Sequence, residues 1–416
     1  MTQIQLDHPR ASADAPAFFG RRVVWAAFVL AAFGWGVGFY GPPVYLHAVV
    51  LRTGWSLPFV SAAVTLHFLV GAAAVANLPR MHRRLGVAAT TGAGAVLLAL
   101  GVVGWATAGR PWLLLAAALF SGVGWVAMGA AAVNAIVAPW FVRTRPRALA
   151  TAYNGASIGG VVFSPLWVAL IGLVGFTAAA AGIGLAMVAV VLVLAFRVFA
   201  WTPDRLGQAP DGDAPSAGVP AAAARRVPVL PGRLLWRDRA FLTLASGMAL
   251  GLFAQIGLVA HLFSVLVPAL GPGGAGAAMG LATGCAIAGR TVVGRLMPVD
   301  ADRRRIACAS YAVQVAGSLV GLAAGGDAVL LLAGVVLFGC GIGNATSLPP
   351  LVAQVEFTRE DALRVVPLIV AIGQGTYAFA PAAFGLVRET LADPAMFALA
   401  ALVQVAAIGC FLAGRR

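Results

Sequence analysis

Twelve apolar runs divide this chain, each about as long as a helix that crosses the hydrocarbon core of a membrane. Such a helix needs about 20 predominantly apolar residues. The runs cover residues 23–50, 57–78, 87–108, 111–137, 149–170, 176–200, 241–267, 275–297, 306–323, 328–351, 365–387 and 395–413. They predict an all-α membrane protein with twelve transmembrane helices, which we number spans 1 to 12.

The composition argues against a water-soluble enzyme, because only 10% of the 416 residues are charged and 61% are hydrophobic. Soluble domains have about 25% charged residues. The sequence has no Walker loop, HExxH or GxSxG motif, and its G-x-G patterns lie inside apolar runs. We therefore expect no enzymatic activity, no cofactor, no metal site and no nucleic-acid partner. The cysteines, which form no CxxC pair and predict no disulfide framework, are Cys285, Cys308, Cys340 and Cys410.

The arginines predict the orientation of the chain in the membrane. All 28 basic residues are arginine, and 24 of them fall in the tails and loops on one side of the spans. The loops on the other side carry Arg52, Arg110 and Arg388. Cytoplasmic loops of membrane proteins are enriched in basic residues. We expect a multi-pass protein of the bacterial inner membrane with both termini in the cytoplasm, and we call the arginine-rich side the basic face.

The chain divides at a proline-rich segment. Residues 201–239 contain six prolines and predict a cytoplasmic linker, partly disordered, between a six-helix bundle at 23–200 and a second one at 240–416. Residues 1–22 form a polar tail, and a short tail follows span 12. The halves resemble each other in sequence: GAAAVANL from Gly71 aligns with GRTVVGRL from Gly289, and Asn154 aligns with Gln374. These matches predict two pseudo-symmetric bundles.

Six spans, a linker and six spans, with basic loops after spans 2 and 8, resemble the major facilitator superfamily. The stretch WFVRTRPRALATAYNGASIGG, residues 140–160, resembles the junction of spans 4 and 5 in monocarboxylate porters and oxalate:formate antiporters. The resemblance implies a secondary transporter whose halves rock around a site at the membrane midplane. It also implies cytoplasmic gate motifs after spans 2 and 8, which here comprise Arg83, Arg84, Gly294, Arg295, Asp300, Arg303 and Arg304. The loop after span 2 departs from the family pattern, because it has no acidic residue.

Arg290 stands inside span 8, where a charge costs about 2.5–3.5 kcal/mol even on lenient scales. Every acidic residue lies in a tail or loop, so an unpaired guanidinium in a central cavity would suit a carboxylate ligand. The alternatives are that Arg290 snorkels to the cytoplasm near Arg295 or pairs with Asp300 or Asp302. In the related porters an aspartate precedes this arginine, and here Ala286 stands in its place. In the oxalate antiporters a lysine stands where this chain has Gln374, so the loss of one cation favours a monoanion or a neutral substrate.

The other candidates are uncharged polar side chains inside spans. Each of them could contact substrate or only join helices by hydrogen bonds. The substrate candidates besides Arg290 are Gln374, Asn154, Tyr153, Gln255, His261, Tyr377, Asn344 and Tyr40. Asn154 and Gln374 gain weight from their equivalent positions in the two halves, whereas Tyr40 could instead belong to the aromatic belt at the membrane surface. The candidates for proton coupling are His261, His67 and His47, since histidine titrates near neutrality.

These observations predict a monomeric secondary transporter that moves a small organic anion, a monocarboxylate, by proton symport or anion exchange. Its partners would be the substrate, the lipid bilayer and, in symport, protons. An exporter of drugs or amphipathic metabolites is the alternative within transport. A membrane sensor that binds a ligand without moving it is the alternative from another class.

Overall fold

The structure is a computed structural model, and it describes residues 18–212, 232–298 and 301–415. Within these ranges all regular structure is helical. Ten helical stretches are long and apolar enough to cross a membrane. They are Gly20–Thr53, Leu57–Leu85, Val87–Thr107, Pro111–Trp140, Arg145–Phe199, Arg239–Leu296, Arg303–Ala323, Ala328–Glu356, Glu360–Leu391 and Ala395–Ala413.

Two of these ten stretches each contain two spans. Arg145–Leu194 is interrupted at Gly175, with φ of +81°, and Arg239–Leu296 at Gly271, with φ of +68°. Glycine adopts such angles without the steric penalty of a Cβ, so the chain reverses there between spans 5 and 6 and between spans 7 and 8. The ten stretches therefore make twelve passages, in agreement with the number of apolar runs.

Three spans are broken near their middle, and prolines account for two of the breaks. Span 1 consists of Gly20–Gly38 and Pro42–Thr53, and span 11 consists of Arg359–Tyr377 and Ala380–Leu391. Pro42, Pro43 and Pro381 cannot donate the backbone hydrogen bonds that would continue each helix. Span 4 is broken at Gly129, between Pro111–Val126 and Ala130–Val137.

Spans 1 to 6 pack together, as do spans 7 to 12, and glycines permit close approach within each group. A Cβ at Gly155 of span 5 would overlap the carbonyl oxygen of Phe28 in span 1. In the other half, a Cβ at Gly289 of span 8 would overlap the carbonyl oxygen of Cys340 in span 10. Small residues at helix interfaces let backbones meet in this way, which compensates for the lack of a hydrophobic drive between helices in lipid.

The halves touch each other towards the face opposite the basic face, which we call the closed end. There Gly280 of span 8 packs on Val161 and Pro165 of span 5, and Gly385 of span 11 packs on Ser61 of span 2. Thr65 of span 2 accepts a hydrogen bond of 3.0 Å from the backbone of Ala382 in span 11.

A cleft opens between the halves in the direction of the basic face. Thr291 follows Gly280 by three helical turns, so it lies on the same side of span 8, yet it is exposed. Asn154 precedes Val161 by two turns on span 5 and is also exposed. The surfaces that meet at the closed end are therefore separated nearer the basic face.

Candidate functional site

Polar groups inside a membrane need partners, so their hydrogen bonds separate structural groups from groups left available for a ligand. His67 is of the structural kind. Its Nε2 lies 2.9 Å from the carbonyl oxygen of Gly38, and its Nδ1 lies 2.8 Å from the hydroxyl of Ser121. Because Pro42 has no N–H, Gly38 lacks its normal helical donor, and His67 replaces it.

The same break in span 1 exposes two further carbonyl groups, and both find side-chain donors. The Tyr45 hydroxyl donates to Val37 over 3.0 Å, and the Trp167 indole donates to Gly36 over 3.2 Å. Tyr45 and Trp167 are both almost fully buried. These contacts fix the kink, and with it the position of Tyr40, which follows the last residues of the first helix of span 1.

His261 lies at the closed end, away from the cleft. Its Nε2 donates to the carbonyl oxygen of Pro381 over 2.9 Å, and its Nδ1 accepts from Arg388 over 3.2 Å. Arg388 also donates to Ser264 over 2.6 Å and pairs with Asp393 at 2.8 Å. We call His261, Ser264, Arg388 and Asp393 the closed-end lock.

His47 of span 1 lies beside this lock. Its ring meets Phe263 of span 7 edge-on, with centroids 5.2 Å apart, and it is close enough to Arg388 to be affected by that charge. His47 is partly exposed, whereas His261 is fully buried. Of the three proton-coupling candidates, His47 and His261 therefore lie at the junction of the halves, and His67 lies inside the N-terminal half.

Three other candidates are buried or already have partners. The Tyr153 hydroxyl donates to the carbonyl oxygen of Ala130 over 3.0 Å, although its ring edge is partly exposed. Gln255 follows Gly251 by one turn on span 7, and Gly251 packs on Tyr311 inside the C-terminal half. Gln255 therefore faces the interior of that half, where its Oε1 has no partner among the described residues. Asn344 is 3% exposed and makes no hydrogen bond to a described residue.

Arg290 is the cation of the cleft. Its Nε donates to the carbonyl oxygen of Gly343 in span 10 over 3.0 Å, and the side chain is partly buried. The Tyr40 hydroxyl lies near the hydroxyl of Thr283 and within electrostatic range of Arg290. No carboxylate among the described residues pairs with Arg290; Asp302 instead pairs with Arg415 at 2.8 Å. Asp300 lies outside the described residues.

Asn154 lies across the cleft from Arg290 at nearly the same depth. Gly160 of span 5 packs on Thr283 of span 8, which fixes the register of the two helices. Asn154 is six residues from Gly160, and Arg290 is seven residues from Thr283, both towards the basic face. At 1.5 Å per residue these separations are about 9 Å and about 10.5 Å. Asn154 has no hydrogen-bond partner among the described residues, so its amide is available to a ligand.

Gln374 and Tyr377 occupy the equivalent junction between spans 2 and 11. The Tyr377 ring meets Phe68 of span 2 with centroids 5.7 Å apart. Gln374 precedes Tyr377 by three residues, so it shares that side of the helix and lies about 4.5 Å nearer the basic face. Within the described parts of the chain its amide has no partner. Asn154 and Gln374, which occupy equivalent positions in the two halves, therefore both border the cleft.

Aromatic residues of the N-terminal half line the cleft, and the sequence analysis missed them. Trp35 and Phe39 of span 1 are partly exposed, and both contact Trp125 of span 4, with centroid distances of 4.9 Å and 6.0 Å. Trp35 also meets Tyr153 at 6.4 Å. Their spacing of four residues, which puts both on one face of a helix, was the available signal.

The gate residues at the basic face have different surroundings. Arg83, Arg84, Gly294 and Arg295 are exposed, and Arg303 donates to the carbonyl oxygen of Leu351 over 2.9 Å. Arg304 is 1% exposed and binds Glu356 through two hydrogen bonds of 2.6 Å and 2.8 Å.

Arg304 also donates to the backbone of two other spans, at Ala240 over 2.8 Å and Phe411 over 3.3 Å. It therefore joins spans 7, 9, 10 and 12 where they reach the basic face. The sequence offered no sign that this arginine is buried, because its two neighbours are also arginine.

The start of the linker is docked on the N-terminal half. Both carboxylate oxygens of Asp211 accept hydrogen bonds from the backbone of Val142, Arg143 and Thr144, over 2.8 to 3.1 Å, and from the Thr144 hydroxyl. These bonds, chiefly that of the hydroxyl, hold the pKa of Asp211 well below its usual range. Since span 5 begins at Arg145, the carboxylate also lies at the positive end of that helix.

Comparison with known proteins identifies the family. The profile of the Major Facilitator Superfamily matches residues 24–381. The nucleoside transporter NupG superposes with a TM-score of 0.72 and 11% identity, over 95% of this chain and 98% of that one. A bacterial homolog of the human lysosomal transporter Spinster, in an inward-facing and occupied conformation, superposes with a TM-score of 0.65 and 12% identity, over 96% of each chain.

At these identities the two structures show the fold alone, and no curated protein matches the sequence. The profile match spans most of the chain, and the structure supplies the helices that the family fold requires. This chain belongs to the major facilitator superfamily and is a multi-pass secondary transporter, not an enzyme.

Proposed function

We propose that this transporter moves a small organic anion, a monocarboxylate, and that Arg290 binds its carboxylate. The observation that supports the proposal is a guanidinium in the cleft with no carboxylate partner among the described residues. Its Nε is bound to the carbonyl oxygen of Gly343, which leaves the two terminal nitrogens available. Those nitrogens can donate two parallel hydrogen bonds to one carboxylate.

A monoanion suits the cleft better than a dianion. The described residues around Arg290 are Tyr40, Thr283 and, across the cleft, Asn154, which are all neutral. Gln374, at the repeat position equivalent to Asn154, is neutral as well. A second carboxylate would therefore be buried without a cation, which is strongly unfavourable. This reasoning also fits the resemblance to the monocarboxylate porter branch.

The orientation follows from the arginines. If the basic face is cytoplasmic, the cleft opens to the cytoplasm, and the closed end separates it from the other side. Transport would then alternate between this arrangement and one in which the halves rock apart at the closed end. The cell membrane of a bacterium remains our expected location.

Coupling to protons would act at the closed-end lock. His261 already donates through Nε2 and accepts from Arg388 through Nδ1. A proton added at Nδ1 would therefore place a cationic imidazole next to the Arg388 guanidinium, and the two charges would repel. The other ionisable groups near it are Asp393 and His47. Protonation from the closed side would release Arg388 and loosen that end. Anion exchange needs no such step, and both modes remain part of the proposal.

The test is uptake into proteoliposomes of labelled lactate, pyruvate, formate, oxalate and a neutral sugar, with and without an inward proton gradient. We expect one monocarboxylate to accumulate, and Arg290→Gln to lower its kcat/KM by about 10- to 100-fold, the worth of a hydrogen bond to a charged group. Arg290→Lys should retain part of the activity. Arg295→Gln, an exposed arginine on the same helix, is the matched control.

Three results would contradict the proposal. Unchanged uptake in Arg290→Gln would make this arginine structural. Transport of neutral compounds that does not depend on Arg290 would favour the alternative function, an exporter of amphipathic metabolites. Binding of a carboxylate without any flux would favour the sensor.

A further inference from the structure

We infer that the substrate carries a flat apolar group, an aromatic ring above all, which lies against the aromatic residues of the N-terminal half while Arg290 of the C-terminal half binds its carboxylate. The inference rests on the proposed function and specifies its substrate class. We call Trp35, Phe39, Phe68 and Trp125 the aromatic wall.

The aromatic wall is a rigid surface. Trp35 meets Trp125 at 83°, and Phe39 meets Phe68 at 61° with centroids 6.0 Å apart. Trp125 and Phe68 are 8% and 5% exposed, so they form the back of the wall. Trp35 and Phe39 are partly exposed and form its front. Edge-to-face contacts of this kind fix the rings and leave their outer surfaces ready to receive another ring.

The wall lies opposite Arg290 at a matching depth. Tyr40, which adjoins Phe39, lies next to Thr283 of span 8 and within electrostatic range of Arg290. Trp35 is five residues nearer the basic face than Tyr40, or about 7 Å along the helix. Arg290 is about 10.5 Å nearer the basic face than Thr283. A molecule bound to Arg290 therefore has Trp35 at nearly its own depth, and Phe39 lies about 9 Å deeper in the cleft.

Beyond Phe39, the residues around a small recess between the halves carry no polar side chains. Its walls are formed by Pro42 and Pro43 of span 1, Val64 and Phe68 of span 2, and Ile256 and Val259 of span 7. A sugar or a nucleoside that packed against this apolar surface would lose hydrogen bonds to water and gain none. A phenyl or indole ring would lose only its contact with water, which favours binding.

The cleft thus has a cation on one side and an apolar surface on the other, as an aromatic carboxylate requires. Formate or acetate would use the cation alone. Burial of a ring contributes enough to make an aromatic acid bind at least about tenfold more tightly than an aliphatic acid of two or three carbons.

The test compares the binding of labelled 3-phenylpropionate, propionate and 3-phenylpropanol to the purified full-length protein by equilibrium dialysis. We expect 3-phenylpropionate to bind at least about tenfold more tightly than propionate. Trp35→Leu should lower the affinity for 3-phenylpropionate several-fold and leave that for propionate unchanged. Trp25→Leu is the matched control, because Trp25 is 61% exposed and lies on the same helix about 15 Å from Trp35. Thermal melting would verify that both variants are folded.

The outcomes separate this inference from the proposed function. Equal, Arg290-dependent binding of propionate and 3-phenylpropionate would overturn the inference and leave the proposed function standing. The same loss in Trp25→Leu as in Trp35→Leu would overturn it too. Equal binding of 3-phenylpropanol and 3-phenylpropionate, unaffected by Arg290→Gln, would refute the proposed anion and, with it, the class of substrate inferred here.

Discussion

At the scale of single residues, the polar side chains of the spans fall into two groups. Some already have a hydrogen-bond partner in the protein, and others have none among the described residues. His67 and Tyr153 donate to backbone carbonyls, and their bonds join helices. Asn154 and Gln374 have no partner among the described residues and border the cleft. In a membrane, where water cannot replace a missing partner, this division is the clearest sign of which side chains are available to substrate.

We predict that His67→Leu destabilises the protein without changing the pH dependence of transport. The substitution leaves the buried Gly38 carbonyl without its donor, at a cost of about 1–3 kcal/mol, whereas the Ser121 hydroxyl keeps its hydrogen bonds with Trp105 and Ala118. Thermal melting of the purified variant should show the loss, and His82→Leu, at the basic end of the same helix, is the control. A variant of normal stability whose proton-driven uptake is abolished would show instead that His67 carries protons.

At the scale of elements, short polar contacts fix the ends and breaks of apolar helices. Arg304 binds Glu356 and the backbone of spans 7 and 12 at the basic face. Asp302 caps span 9 through the backbone of Arg304 and Arg305 and accepts from Arg415. Although partial burial acts in the opposite direction, these bonds lower the pKa of Asp302. The apolar sequence determines where spans lie, and such contacts determine how they are joined.

We predict that Asp211→Ala releases the start of the linker from the N-terminal half. The amides of Val142, Arg143 and Thr144 lose a common acceptor, so their hydrogen exchange should become several-fold faster. Asp204→Ala, in the same segment, is the control. Unchanged protection of residues 140–147 in Asp211→Ala would show that the carboxylate does not hold the linker.

The depressed pKa of Asp211 also gives the direction of its pH dependence. The contribution of its ionised form is complete above the ordinary aspartate pKa and is lost as the pH falls through the lower pKa of the docked state. Docking of the wild-type linker should therefore persist when the pH is lowered from 7 to about 4, the ordinary aspartate value. Protection factors of residues 140–147, corrected for intrinsic exchange rates, would measure this.

At the scale of the whole molecule, the contacts between the halves that the described residues make lie towards the closed end. The contacts there include Thr65 with Ala382, Ser61 with Gly385, His47 with Phe263, and span 8 with span 5. Within the C-terminal half, the closed-end lock fixes span 7 to the outer part of span 11 through His261 and Arg388. Because span 11 packs on span 2, this lock sets the surface on which the N-terminal half closes.

We predict that Arg388→Gln favours the state in which the halves separate at the end where they meet in this structure. It removes the ion pair with Asp393 and the hydrogen bond to Ser264, both of which order span 11. A cysteine at Ser61, in a chain without the four native cysteines, should react several-fold faster with a membrane-impermeant maleimide added from that side. Arg110→Gln, an exposed arginine of the same face, is the control. Equal labelling in both variants would show that the lock does not govern closure.

The sequence by itself determined the twelve spans and the superfamily, and it predicts the division into halves at the linker. Long apolar runs and the positions of arginine follow from the cost of charge in lipid, which acts on each segment separately. It also placed Arg290, Asn154 and Gln374 among the candidates, since a polar residue inside a span is visible without a partner. The first two now lie across one cleft at about equal depth.

Only the tertiary structure decided which of these polar groups already have partners. His67 and His261 look alike in sequence, and the kink of span 1 and the position of Arg388 give them their different surroundings. For the aromatic wall the sequence held only the four-residue spacing of Trp35 and Phe39, and for the buried Arg304 it held no signal, because loops contain many arginines. Hydrogen bonds and cavities arise between residues that are distant in the chain, so a pattern within one span cannot show them.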